Sequence, residues 1–120
     1  MPEYYSDRGE RVRSKSELLI ANALNRRGIP YKYECPLELV SYGTVYPDFT
    51  ILNVKERKEI YWEHLGLMDD HDYREKNLNK IVSYESNDYF PGDRLILTFE
   101  TARQPLTTKM IEMMIKKYLL

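Results

Sequence analysis

Apolar residues recur at helical spacing across residues 17–27, where Ile20, Ala21 and Leu24 share one face with Glu17 and Gly28. Ser14 or Ser16 can cap this helix, Arg26 and Arg27 suit its last turn, and Gly28 stops it. From residue 31 the period changes to two. Residues 31–39 alternate as a strand, which Pro36 confines to an edge or a bulge. After a turn at Tyr42-Gly43-Thr44, residues 47–52 and 59–65 form a second and a third strand, and the polar stretch 53–58 between them predicts a hairpin.

Asp72 can cap a second helix that runs to about residue 85. On its wheel Leu78, Ile81 and Val82 are predicted to face a sheet, leaving Tyr73, Lys76, Asn77, Lys80 and Tyr84 as a solvated stripe. Pro91-Gly92 leads into a buried fourth strand at 94–99, and Gln104-Pro105 opens a last helix to Leu120. The predicted order is α-β-β-β-α-β-α, a mixed α/β domain with helices on a central sheet. Its third and fourth strands should be parallel, because a helix crosses between them. The polar residues 1–12 carry no period and are expected to be a flexible N-terminal arm to a domain at 13–120.

A length of 120 residues suits one such domain, and 42% hydrophobic with 31% charged residues argues against disorder. Eighteen Lys and Arg against nineteen Asp and Glu leave a net charge of −1, so contact with a nucleic acid would have to be local. The single Cys35 excludes a disulfide framework and a cysteine-based zinc cluster, which fits a reducing compartment. No apolar run approaches the roughly 20 residues of a membrane-spanning helix, and the N-terminus lacks a signal-peptide core. A cytoplasmic protein with no membrane partner is expected.

Three acids stand against their local pattern. Glu17 lies in the apolar stripe of the first helix, and Asp48 and Glu63 lie in strands, which acidic residues disfavour. Each has a bland explanation: Glu17 as a helix-start residue favoured by the dipole, the other two on a solvated sheet face. Two acids on paired strands can nonetheless converge, and such a pair repels unless a cation lies between them. Carboxylate oxygens are hard ligands suited to Mg²⁺ or Mn²⁺. His64 and His71 have no second histidine at ligand spacing, and phosphate-loop, Gly-x-Ser-x-Gly and Cys-His patterns are missing, which removes zinc hydrolases, nucleotide kinases and serine hydrolases. The basic groups Arg8, Arg11, Arg13 and Lys15, Arg26-Arg27, and Lys109, Lys116 and Lys117 would form a nucleic-acid footprint only if they clustered in space.

Arg13-Ser14-Lys15-Ser16-Glu17, Tyr46-Pro47-Asp48-Phe49 and Trp62-Glu63-His64-Leu65-Gly66 together resemble the PD-(D/E)XK nuclease superfamily, over residues 11–99. The combination is more specific than any of its pieces. The resemblance implies a restriction-endonuclease-like αβββαβ core with a central mixed sheet flanked by helices, followed here by a C-terminal helix. It also implies DNA phosphodiester hydrolysis with Mg²⁺ or Mn²⁺ held by Asp48, Glu63 and the His64 backbone carbonyl, Glu17 joining directly or through water.

One position departs from the family pattern: Leu65 stands where the family's lysine is usual. The Glu-His-x-Gly ending resembles relatives in which a lysine of the following helix takes over, here Lys80 first and Lys76 second. Arg13, Lys15, Tyr73, Lys76 and Tyr84 are expected on the DNA-facing side, and assembly is expected as a homodimer or within a larger multidomain protein. The competing readings are a catalytically inactive nuclease-fold module that binds DNA or protein, and an unrelated α/β interaction domain.

Overall fold

The computed structural model describes residues 3–120. Their elements are β1 (Tyr4–Tyr5), β2 (Arg11–Val12), α1 (Lys15–Arg26), β3 (Tyr31–Tyr33), β4 (Leu37–Leu39), β5 (Gly43–Val45), β6 (Phe49–Asn53), β7 (Lys58–Leu65), α2 (His71–Ser86), β8 (Leu95–Phe99) and α3 (Thr108–Tyr118). A four-stranded sheet in the order β3-β6-β7-β8 forms the centre. It is mixed: β3 with β6 and β6 with β7 are antiparallel, and β7 with β8 is parallel, joined through α2. The fold is thus mixed α/β, with helices against a central mixed sheet and a helix at the C-terminal end.

Alternation along β7 sends Ile60 and Trp62 to one face and Tyr61 and Glu63 to the other. The first face packs on Ile20 and Leu24 of α1 and Ile111 and Ile115 of α3, all fully buried. On the second, Tyr61 and Leu95 pack against Tyr84 of α2 and against Leu39 and Val45 of the β4–β5 hairpin. Burying one such large side chain stabilises the fold by about 1.5–3 kcal/mol.

Helix α1 starts as its sequence requires, with the Ser14 hydroxyl accepting from Glu17 N (3.2 Å). Gly28 ends it at φ 65°, a left-handed conformation that glycine adopts without strain. Two other caps differ from expectation. Asp70 rather than Asp72 caps α2, accepting from Tyr73 N (2.9 Å), and Thr107 rather than the Pro105 region begins α3, accepting from Met110 N (3.2 Å). The last helix accordingly ends at Tyr118.

The single strand expected at 31–39 is split. Glu34 takes φ 53° and Pro36 offers no N–H, so β3 stays in the central sheet while β4 turns away to pair with β5. Residues 3–12, expected as a bare arm, form the β1–β2 hairpin, with Val12 buried and Asp7 N donating to Asn22 Oδ1 of α1 (2.8 Å). Residues 1 and 2 of that segment lie outside the described residues.

Helix α2 is rotated relative to its predicted face. Asn77 and Tyr84 are buried, whereas Leu78 and Val82 are 55% and 58% exposed. The reason is physical: tyrosine and lysine are amphipathic, so a stripe that looks polar on a wheel can bury rings and stems while its tips find partners. The buried Asn77 amide is satisfied by donation to Tyr73 O (2.8 Å).

Candidate active site

The hairpin register positions the two strand acids. The last antiparallel pair of β6 and β7 is Phe49↔Trp62, so the next step along both chains sets Asp48 opposite Glu63, on the face toward α2. There β6 stops pairing, and the N–H of His64 is taken by Asp48 Oδ2 (2.7 Å) instead of a strand carbonyl. The neighbouring Leu65 carbonyl accepts from Glu100 N (3.0 Å) on the β8 side. By alternation His64 turns its own backbone groups to the side that β6 vacates.

Glu63 is 2% exposed and does not stand alone. Its Oε2 accepts the Tyr84 hydroxyl (2.8 Å) and lies 3.0 Å from Lys80 Nζ. Tyr84 and Lys80 are one turn apart on α2, so a single helix face delivers both groups. Burial, and then the charge of Glu63, push the Asp48 carboxyl well above the usual range; the His64 N–H works in the opposite direction. Burial and the same carboxylate hold the Tyr84 phenol far above its ordinary value, so it remains a donor.

Asp48 Oδ1 and Glu63 Oε1 have no hydrogen-bond partner among the described residues, yet no fully buried side-chain polar atom there is unpaired. Both free oxygens therefore open toward space around the site. A cavity of about 240 Å³ is lined by Asp48, Glu63, Tyr73, Lys76, Asn77 and Lys80. A second, of about 390 Å³, shares Asp48 and Tyr73 with it and reaches Ser14, Glu17, Gly66 and Glu100.

Glu17 borders the second cavity, and its Oε1 accepts from Arg13 N (3.1 Å) and from the Tyr33 hydroxyl. Among the described residues no three His, Cys, Asp or Glu side chains are gathered closely enough to hold an ion by themselves. Arg13 lines both cavities while its guanidinium pairs with Glu34. Lys76 is exposed at the rim of the first cavity, and Lys15 is exposed and lines neither. Tyr73 is half-buried and its hydroxyl accepts from Gly66 N (3.1 Å). Tyr84, expected to face DNA, is fully buried against Glu63, since its ring completes the second core.

A polar chain on the opposite sheet face was not foreseen. Trp62 Nε1 donates to Thr98 Oγ1 (3.0 Å), which also lies within hydrogen-bond distance of His64 Nδ1 (2.8 Å). His64 Nε2 donates to the carboxylate oxygen Glu100 Oε1 (2.6 Å), which also receives the Ser16 hydroxyl, while Leu106 N donates to Oε2 (3.2 Å). This chain ties the start of α1 to the ends of β7 and β8. A hint existed in Thr98, a polar residue inside an otherwise apolar strand.

No protein-family profile matches the chain. Over 68 residues it is 44% identical to an uncharacterised protein of Methanocaldococcus jannaschii, a match covering 57% of this chain and 6% of that protein. Among solved structures it is similar to a chain of the cryo-electron-microscopy structure of the DrdV–DNA complex, with TM-score 0.47 and 16% identity over 84% of this chain and 10% of the other. The chain thus spans a tenth or less of the length of each protein it matches here.

Proposed function

We propose that this domain is a metal-dependent nuclease of the PD-(D/E)XK type that hydrolyses a phosphodiester bond in DNA. The observation that carries the reading is the opposed pair Asp48 and Glu63, partly neutralised by Lys80 from the following helix. Two carboxylates facing each other at a cavity disfavour ionisation of both unless a cation joins them. Among oxygen ligands, Mg²⁺ and Mn²⁺ suit this donor set.

Asp48 Oδ1, Glu63 Oε1 and the His64 carbonyl would hold the ion. The small number of protein donors fits Mg²⁺, which retains several waters and is completed by substrate oxygens. Bound there, the ion supplies Lewis acidity and a water of lowered pKa. Lys80 stabilises negative charge developing on the phosphate, from a position already fixed by Glu63. Lys76, exposed on the same rim, draws the DNA backbone in as a mobile point charge. Glu17 joins from its helix start directly or through water, one of its oxygens being held by Arg13 N and the Tyr33 hydroxyl.

The test is cleavage of plasmid, single-stranded and branched DNA with Mg²⁺, Mn²⁺ or EDTA. Metal-dependent products that disappear in Asp48→Ala support the reading. DNA binding without cleavage in any metal would replace it with the inactive-module reading.

A further inference from the structure

Tyr84 is the phenol that donates to Glu63, and its packing makes it a fixed point. The ring is fully buried among Leu39, Val45, Tyr61 and Leu95, and Tyr89 packs edge-on against it at 6.4 Å between centroids. Its hydroxyl therefore has little freedom, and it donates to Glu63 Oε2 (2.8 Å). Lys80 Nζ reaches the same atom at 3.0 Å. A carboxylate with two donors on one oxygen and none on the other is held against rotation.

We propose that Tyr84 is a positioning residue: with Lys80 it clamps Glu63 Oε2, leaving Oε1 presented to the cavity shared with Asp48 and keeping the Lys80 ammonium beside it. The inference rests on the nuclease reading for its purpose and on the hydrogen-bond geometry for its existence. Without the hydroxyl, Lys80 would be the sole donor and could pair with either oxygen, including the one needed for a metal. The ammonium would also lose its fixed place, since a lysine tethered by one ion pair samples many rotamers.

Tyr84→Phe removes one oxygen and keeps the ring that fills the core, so the variant should fold. Tyr89→Phe is the control, because Tyr89 makes no hydrogen bond to Glu63 among the described residues. Calorimetric titration with Mn²⁺ alone should show affinity lowered about 10- to 100-fold in Tyr84→Phe, the usual loss when the group orienting a ligand is removed. Tyr89→Phe should match wild type. With DNA, kcat should fall while KM holds.

A readout free of metal separates the two ideas. In the metal-free protein the Lys80 ammonium should give a protected ¹⁵N NMR signal that is lost in Tyr84→Phe. If wild type neither binds Mn²⁺ nor cleaves DNA, the nuclease reading falls, and the ammonium signal alone decides the clamp. An unchanged signal, or wild-type Mn²⁺ affinity in Tyr84→Phe, would overturn it.

Discussion

Asp48 and Glu63 stand across from each other one step beyond Phe49↔Trp62, where the β6–β7 pairing ends. That end is what frees the His64 N–H for Asp48 Oδ2 and opens the strand edge to a cavity. An acid pair inside a continuous ladder would have no such opening.

The raised Asp48 carboxyl makes this arrangement costly without a metal. Its folded-state value lies above the ordinary 3.8, so the folded protein holds a proton that the unfolded chain releases. The Asp48 contribution to stability then falls as pH rises from near 3.8 toward the raised value, by about 1.4 kcal/mol per pH unit while the difference is one full proton. Asp48→Asn keeps an acceptor for His64 N–H and removes the ionisation. In EDTA, thermal melts of Asp48→Asn should be less pH-dependent than wild type across that window and higher at pH 7. Parallel pH profiles would refute the assignment.

Lys80 and Lys76 should separate by phenotype. Lys80 is held at Glu63 with its side chain 23% exposed, while Lys76 is open to solvent at the rim. Lys80→Ala should reduce single-turnover cleavage by about 10²- to 10³-fold, as for loss of one positioned charge, with DNA affinity retained. Lys76→Ala should weaken binding and lower its salt dependence by about one phosphate contact, with turnover measurable. The reverse pattern would transfer the role to Lys76.

Much of this geometry is legible in the residue pattern because it depends on period and punctuation. The alternation of 59–65 and the turn before it pair the strands that carry the two acids, and the folded register then sets them opposite each other. What the pattern hides is which of two chemically mixed faces a helix buries. On α2 the aliphatic Leu78 and Val82 outweigh Tyr84 when the phenol hydroxyl is counted as polar, yet the tyrosine alone can both fill the core and satisfy a buried carboxylate. Glu100 is hidden for another reason: it lies past the end of β8, and only the folded sheet brings it to His64 and Ser16.

The inverted face has a direct thermodynamic signature. Leu78→Ser and Val82→Ser should each change stability by less than about 0.5 kcal/mol, as exposed substitutions do. Trp62→Ala, at a fully buried position, should cost about 3–5 kcal/mol. Urea unfolding of the three variants checks this, and a loss above about 2 kcal/mol for Leu78→Ser would restore the face expected from the wheel.

Glu100 should give the opposite pH response to Asp48. Burial alone would raise its carboxyl, but donation from Ser16, His64 and Leu106 N outweighs burial and holds it below the ordinary 4.5. The unfolded chain therefore takes up a proton before the folded one does. Stability from Glu100 is fully present above about pH 4.5 and is lost as pH falls through its lowered value. Glu100→Ala leaves the His64 ring N–H, the Ser16 hydroxyl and Leu106 N without their acceptor, which should cost about 1–3 kcal/mol at pH 7. Because Ser16 precedes Glu17 at the start of α1, hydrogen exchange at that helix start should rise more than at the β6–β7 pairs. Acid melts in which wild type and Glu100→Ala lose stability in parallel would show that the carboxylate is not held by this network. Unchanged exchange at Ser16 and Glu17 would show that the network does not secure α1 to the end of β7.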